Sequence, residues 1–238
     1  MSNRNPAPQS PWQKMLGIEL SPVSHRERLV SALGGFVGLL VVFLASHVLG
    51  GAPSAPLVIF SIGASAVLVF GVPHGALSQP WPVLGGHLVS ALIGVACAHL
   101  VPDTALAAAV AVGLSIAAMH YLRCIHPPGG ATALAAVLGG ESLRGLGFGF
   151  VLSPVLLNVM VILAAAVAFN ALFPWRRYPA FLAEPASAGY AAISHEDFVY
   201  ALAELDSFID VSEDDLLRIY GLATGRHRAV EAQVAAAA

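Results

Sequence analysis

Apolar residues in this chain come in long runs, not in the alternating or amphipathic stretches of a water-soluble fold. Residues 29–50, 82–100, 104–122 and 146–170 each approach or exceed the about 20 mostly apolar residues that a bilayer-spanning helix needs. Two further runs are shorter. Residues 56–72 are broken by Gly63, and residues 129–140 reach only about half the spanning length. Turns rich in proline and glycine join the runs: Gly50-Gly51-Ala52-Pro53, Val72-Pro73-His74-Gly75, Val101-Pro102-Asp103 and Gly139-Gly140. The pattern predicts an all-α, polytopic transmembrane bundle of about six membrane segments over residues 29–172. A polar segment, 1–28, precedes it and a linker, 173–193, follows. Residues 194–238 read as a cytoplasmic helical hairpin and tail. Ser194-His195-Glu196-Asp197 and Ser212-Glu213-Asp214-Asp215 have the capping residue and acidic first turn of helix starts.

Composition sharpens this picture. The chain is 57% hydrophobic and 11% charged, against about 25% charged in soluble domains. Residues 29–102 contain no Asp, Glu, Lys or Arg, and 103–170 add only Asp103, Arg123, Glu141 and Arg144. That excludes an ordinary soluble enzyme, a disulfide scaffold, a disordered protein and a nucleic-acid binder. The net charge of −3 argues for no charged partner. Cys97 and Cys124 fall in apolar segments and read as small buried hydrophobes. Residues 1–28 lack the apolar core and cleavage site of a signal peptide, so the first run is expected to be a retained helix.

Arginine and lysine collect on the cytoplasmic side of a membrane. Arg4, Lys14, Arg26 and Arg28 precede the first run, and Arg176 and Arg177 follow the last. Both termini are therefore expected in the cytoplasm of a multi-pass inner-membrane protein, which requires an even number of crossings. Six crossings divide into three and three. Gly63-Ala64-Ser65-Ala66-Val67 lies in the second segment of the first half, and Gly130-Ala131-Thr132-Ala133-Leu134 in the second segment of the other. An odd number of segments per half makes two such copies an inverted repeat, the plan of many secondary transporters. Chance recurrence of residues common in membrane helices is the alternative.

The candidate site centres on His126-Pro127-Pro128-Gly129-Gly130-Ala131-Thr132. Two prolines cannot continue a helix, and the residues before them are pushed to extended conformations. Non-helical backbone at membrane depth is tolerated only inside protein or beside a wet cavity. A short helix starting after the prolines would aim the free N–H groups of 129–132 at an anion. Thr132 adds a hydroxyl, and Gly63, Ala64 and Ser65 of the first copy are expected to face it. The expected site is thus formed by convergent broken-helix N-termini. His126 reads equally as an anion or proton ligand and as a cap for the backbone that the prolines free. His87, after Gly85-Gly86, is the second candidate. Asn158, inside the last run, reads as cavity-facing or as interhelical glue. No cofactor or metal is implied.

At these residues the chain resembles the HPP family of integral membrane proteins, named for His126-Pro127-Pro128. Gly63-Ala64-Ser65-Ala66-Val67-Leu68-Val69-Phe70, Ser78-Gln79-Pro80-Trp81 and Gly85-Gly86-His87 are similar to its first block. His126 to Leu134 is similar to the second, and Asn170 with Arg176, Tyr178 and Pro179 to its ending. The resemblance covers roughly residues 25–180. It implies a membrane domain commonly described with four spans and, from plastid and cyanobacterial members, nitrite transport. Some bacterial relatives carry a cytoplasmic CBS pair, which this chain is expected to lack.

Transport of a small inorganic anion, with nitrite foremost, is the leading expectation, by a carrier or by a channel of the same architecture. A sensor or structural protein acting through the hairpin is the alternative. An enzyme is disfavoured, because His126 has no carboxylate partner in sequence. The expected partners are the anion, membrane lipid and a second copy of the chain. Gly34-Gly35-Phe36-Val37-Gly38 permits close helix contact, either in a homo-oligomer or within one protomer.

Overall fold

The computed structural model describes residues 23–49 and 56–182, with Trp12, Met15, Leu16 and Tyr220 besides. The expected hairpin over 194–238 lies outside these, Tyr220 apart. Seven α-helices are described: α1 His25–Leu49, α2 Pro56–Gly71, α3 Pro80–Leu100, α4 Thr104–Tyr121, α5 Pro127–Leu138, α6 Gly140–Arg144 and α7 Leu157–Ala171. A wide-turn segment, Val151–Leu156, runs into α7 through a kink at Ser153, whose φ is −138°. No strand occurs among the described residues.

Among the described residues, four helices are long and apolar enough to cross a membrane: His25–Leu49, Pro80–Leu100, Thr104–Tyr121 and Val151–Ala171. α2, with 16 residues, is about 24 Å long, and α5, with 12, about 18 Å. Both fall short of a hydrocarbon core of about 30 Å. Two expectations are corrected here. Gly63 does not break its segment, because α2 is continuous through it. A single interior glycine costs a helix only about 1 kcal/mol, which packing overrides. The prolines also do not hold the chain out of helix. Pro127 and Pro128 are themselves the first two residues of α5, where no intrahelical partner for an N–H exists to be lost.

The described segments alternate in direction. α3 and α5 run parallel: Gly86 packs on His126 and Gly129, and Gly94 on Ala133 and Ala136. α2 runs against α5, with Ser65 beside His126 and Ser61 beside Thr132. α1 and α7 are antiparallel, joined by Ser46 and Asn158 at one end and by Glu27 and Arg176 at the other. The core between them holds Val42, Ile62, Val69, Phe70, Phe150, Val159 and Ile162. Phe36, Leu44, Phe60, Val67, Leu106 and Met160 stand exposed around the outside, as a lipid-facing surface requires. A Cβ on Gly34 would fall 2.7 Å from Phe70 and from Phe169, and one on Gly38 would fall 2.3 Å from Phe70. The spacing that offered a contact between copies is therefore filled from within the protomer.

One end of the bundle is tied by an ionic knot. Glu27, in the first turn of α1, pairs with Arg176 beyond α7, and both are buried. Arg176 also donates to Asn170 Oδ1 (3.1 Å), Ser31 Oγ (3.0 Å) and the Phe70 carbonyl. Trp175 Nε1 donates to the second Glu27 oxygen at 2.9 Å, and Arg26 lies 3.8 Å from the centre of the Trp175 ring. Burial pulls the Arg176 guanidinium down to about 10 and pushes the Tyr178 phenol up, so the first stays cationic and the second neutral at physiological pH. Tyr178 donates to the Ser78 carbonyl at 2.7 Å, and the Ala180 N–H to Gln79 Oε1 at 3.0 Å. The chain after α7 thus clamps the turn between α2 and α3.

Candidate functional site

Side chains from α2, α3 and α5 meet in a buried polar cluster inside the bundle. His126 is held extended by the proline after it, with φ −144° and ψ 102°. Its Nδ1 lies 2.9 Å from the Leu77 carbonyl. Ser65 Oγ stands 2.8 Å from Nε2 of His126 and 2.8 Å from Nε2 of His87. The other nitrogen of His87, Nδ1, is 2.7 Å from Thr132 Oγ1, which lies 3.0 Å from Ser61 Oγ. Two looser acceptors lie within reach. They are the Ser61 carbonyl, 3.2 Å from Ser65 Oγ, and the Pro128 carbonyl, 3.4 Å from Thr132 Oγ1. The two imidazole centres are 5.0 Å apart. Ser61, Ser65, His87, His126 and Thr132 each have 0% exposure, so the cluster is closed from both sides of the bundle. Burying this much polarity is tolerable because every imidazole nitrogen and the Ser65 and Thr132 hydroxyls have partners.

Two glycines make the assembly possible. A Cβ on Gly86 would meet His126 Cβ at 2.6 Å, and one on Gly129 would meet the Gly86 carbonyl at 2.7 Å. Any side chain there would drive α3 from α5 and take His87 away from Thr132. Ser90, one turn after His87, lies on the same seam, its Oγ 2.9 Å from the Gly129 Cβ position. That hydroxyl is fully buried and has no partner.

Of the expected residues, the structure brings Ser65, His87, His126 and Thr132 together, with the Pro128 carbonyl 3.4 Å from Thr132 Oγ1 and the Gly129 backbone against Gly86 beside them. It does not bring Gly63, Ala64, Pro127, Gly130 or Ala131. Ala64, Pro127 and Ala131 are exposed, and Gly63 and Gly130 have open space where a Cβ would stand. Asn158 is engaged elsewhere, accepting from Ser46 Oγ at 2.5 Å. The expected pair of opposed helix N-termini is absent, because Ser65 lies inside α2. The start of α5 is also poor in free donors. Its first two residues are prolines, and the Gly129 N–H already bonds the His126 carbonyl at 2.8 Å. The polarity of the site therefore comes from hydroxyls and imidazoles. Sequence reading missed Ser61, Ser90 and the Leu77 carbonyl. Ser61 carried a usable signal, lying four residues before Ser65 on one helix face. Among the described residues no three His, Cys, Asp or Glu side chains gather, so the two imidazoles have no third metal ligand of these kinds.

The profile of the HPP transmembrane region matches residues 20–179. Two transmembrane proteins of Dictyostelium discoideum are similar to this chain, each at 38% identity. One match runs over 176 residues, 71% of this chain and 56% of the relative; the other runs over 153 residues, 63% and 53%. The chain thus spans about half the length of the curated relatives it matches. No solved structure matches it.

Proposed function

The chain belongs to the HPP transmembrane family, and from that premise we propose that it carries a small inorganic anion, nitrite foremost, across the membrane by way of the hydroxyl–imidazole cluster. One observation carries the reading: five fully buried polar side chains converge where three helices of an almost uncharged core meet. An enclosed polar site in an apolar bundle suits a small polar cargo, and polar groups inside membrane domains mark such routes. Ser90, with its unpartnered hydroxyl on the adjoining seam, offers the cargo a further donor. Nitrite as the cargo rests on the family resemblance.

The two motif copies support an inverted repeat. Ser65 from the first and Thr132 from the second approach opposite nitrogens of one ring, His87. In this reading α2 and α5 are the short central segments of two three-helix halves that rock against each other. The closed cluster favours such a carrier over a standing pore. The described arginines favour a cytoplasmic position for the end bearing Arg26, Arg28, Arg123, Arg176 and Arg177, with Arg144 at the opposite end. We read the membrane as a cell inner membrane. In this reading the cluster binds rather than catalyses, since the partners of the two imidazoles are hydroxyls and a backbone carbonyl, with no carboxylate behind either ring.

Flux in proteoliposomes tests this. The purified chain should move nitrite well above empty vesicles, and His126→Ala should abolish most of that movement while leaving a folded, monodisperse protein. If nitrite, nitrate, formate and chloride all fail to move above empty vesicles, the reading is wrong.

A further inference from the structure

Proton positions in the cluster follow from its geometry. A carbonyl can only accept, so His126 Nδ1, facing Leu77, carries a hydrogen. In the neutral ring Nε2 is then an acceptor, and the single hydroxyl hydrogen of Ser65 points at it. Ser65 has none left to give His87, so His87 Nε2 must be the donor to Ser65. That makes His87 Nδ1 an acceptor, filled by the Thr132 hydroxyl, whose oxygen also lies 3.0 Å from Ser61 Oγ. The result is one directed chain from Thr132 through His87, Ser65 and His126 to the Leu77 carbonyl. Each link holds one hydrogen, and the two rings are opposite tautomers.

The same chain has room for one more proton. If a proton binds His126 Nε2, that nitrogen donates to Ser65, and the Ser65 hydroxyl turns to the Ser61 carbonyl at 3.2 Å. Ser65 then accepts from both rings with its two lone pairs. If the proton sits on His87 Nδ1 instead, Thr132 turns to the Pro128 carbonyl at 3.4 Å. A second proton is opposed, because two imidazolium rings 5.0 Å apart repel each other.

No charged side chain bonds the pair. α1 and the chain beyond α7 bring Glu27 and Arg176 to the Phe70 end of α2, paired with each other, and Tyr178 donates to the Ser78 carbonyl. His25, Arg26, Arg28 and His47 of α1 and Glu141 and Arg144 of α6 are exposed, and α7 and Val151–Leu156 carry no titratable residue. α2 and α5 carry no titratable residue. The turn before α3 holds His74, bonded away to the Arg177 carbonyl. α3 holds His87 itself and, in its last turn, His99, bonded to the Val95 carbonyl. α4 ends in His120 and Tyr121, both exposed, and the following turn holds exposed Arg123 and Cys124, packed on Gly85. An anion entering this site meets no permanent cation. An uncompensated charge in a dry interior is strongly unfavourable, and a proton on the ring pair supplies the missing charge.

We propose that His87 and His126, bridged by Ser65, form a store for one proton that fills as the anion enters, so that each anion crosses with one proton and no net charge. This rests on the anion-transport reading above. One proton from the entry side binds an imidazole nitrogen while the anion binds beside it. Both leave to the other side, and the neutral chain is restored.

Two measurements on the full chain test the store. In proteoliposomes with a pH dye inside and the potential clamped, nitrite uptake should acidify the lumen by one proton per anion after subtraction of empty vesicles. Its rate should follow the pH gradient and ignore the clamped potential. Ser65→Ala should cut both fluxes together by about tenfold or more, the loss of at least one buried hydrogen bond. A nitrite current that follows the potential without acidification overturns the coupling and leaves the transport reading standing. Absent flux of every anion overturns the transport reading and the coupling with it. The second measurement needs no flux: nitrogen NMR of histidine-labelled protein in nanodiscs, assigned with His87→Asn and His126→Asn. Opposite neutral tautomers and uptake of a single shared proton on acidification are expected. Identical tautomers, or two rings charging together, overturn the store.

Discussion

Two polar regions are buried in this bundle, and they are built on opposite principles. The knot at one end joins full charges, Glu27 and Arg176, and surrounds them with donors and acceptors that fix every position. The inner cluster joins neutral groups, each with a second partner within reach. The knot ties α1 and the chain beyond α7 to the end of α2, so its charges serve to hold. The cluster lies between α2, α3 and α5, where, on the proposed transport reading, a permanent charge would trap an anion or repel it. A membrane protein can bury charge where nothing needs to move and keep it out of the place where something does.

The sharpest way to break this contrast is at the knot. Arg176→Met leaves Glu27 buried without its cation and should cost about 3–5 kcal/mol, read as loss of folded protein in detergent. Adding Glu27→Gln should restore much of that, because removing both charges is far less costly than removing one. A double variant no better than the single one would mean that the knot acts by shape alone. Gly86→Ala comes next. Its methyl falls on His126 Cβ, overpacking should cost about 1–3 kcal/mol, and flux should vanish even where the protein still folds. Thr132→Val keeps shape and removes the donor to His87. Stability should fall by about 1–3 kcal/mol, the cost of leaving His87 Nδ1 buried without a partner, and nitrite flux by about tenfold, with the fold retained. The smallest effect is expected at Ser46→Ala, which loses only the bond to Asn158. Its cost should be about 0.6 kcal/mol with flux unchanged, and a flux defect there would extend the cargo route to α7.

The helices were legible because lipid leaves the chain little choice. Apolar runs expected at 56–72, 104–122 and 82–100 correspond to Pro56–Gly71, Thr104–Tyr121 and Pro80–Leu100. The discrepancies have local causes. The start of α5 was set two residues late because two prolines read as a barrier, although the first turn of a helix tolerates both. The last segment starts at Val151 rather than at 146, since Gly145, Gly147 and Gly149 keep the chain in turns before it. Four residues singled out by their motifs, Ser65, His87, His126 and Thr132, do meet in one buried cluster. Their mutual arrangement was not legible, because a ring nitrogen shared between distant helices leaves no trace in spacing. Asn158 follows its interhelical reading, bonding Ser46 of α1, but that partner could not be named because it lies far away in sequence. The knot was invisible because Glu27 and Arg176 fall just outside the apolar windows, where charge is ordinarily read as solvated.

The double proline at the start of α5 has one more consequence. A helix that begins on ordinary residues presents backbone amides, and their hydrogens stay in place at any pH a cell allows. Pro127 and Pro128 have none, and Gly129 has already committed its own. On the proposed transport reading, what remains to grip a cargo here is a set of revocable donors on rotating hydroxyls and protonatable rings. Permanent donors would favour capture alone, whereas donors that can be withdrawn also let the cargo go.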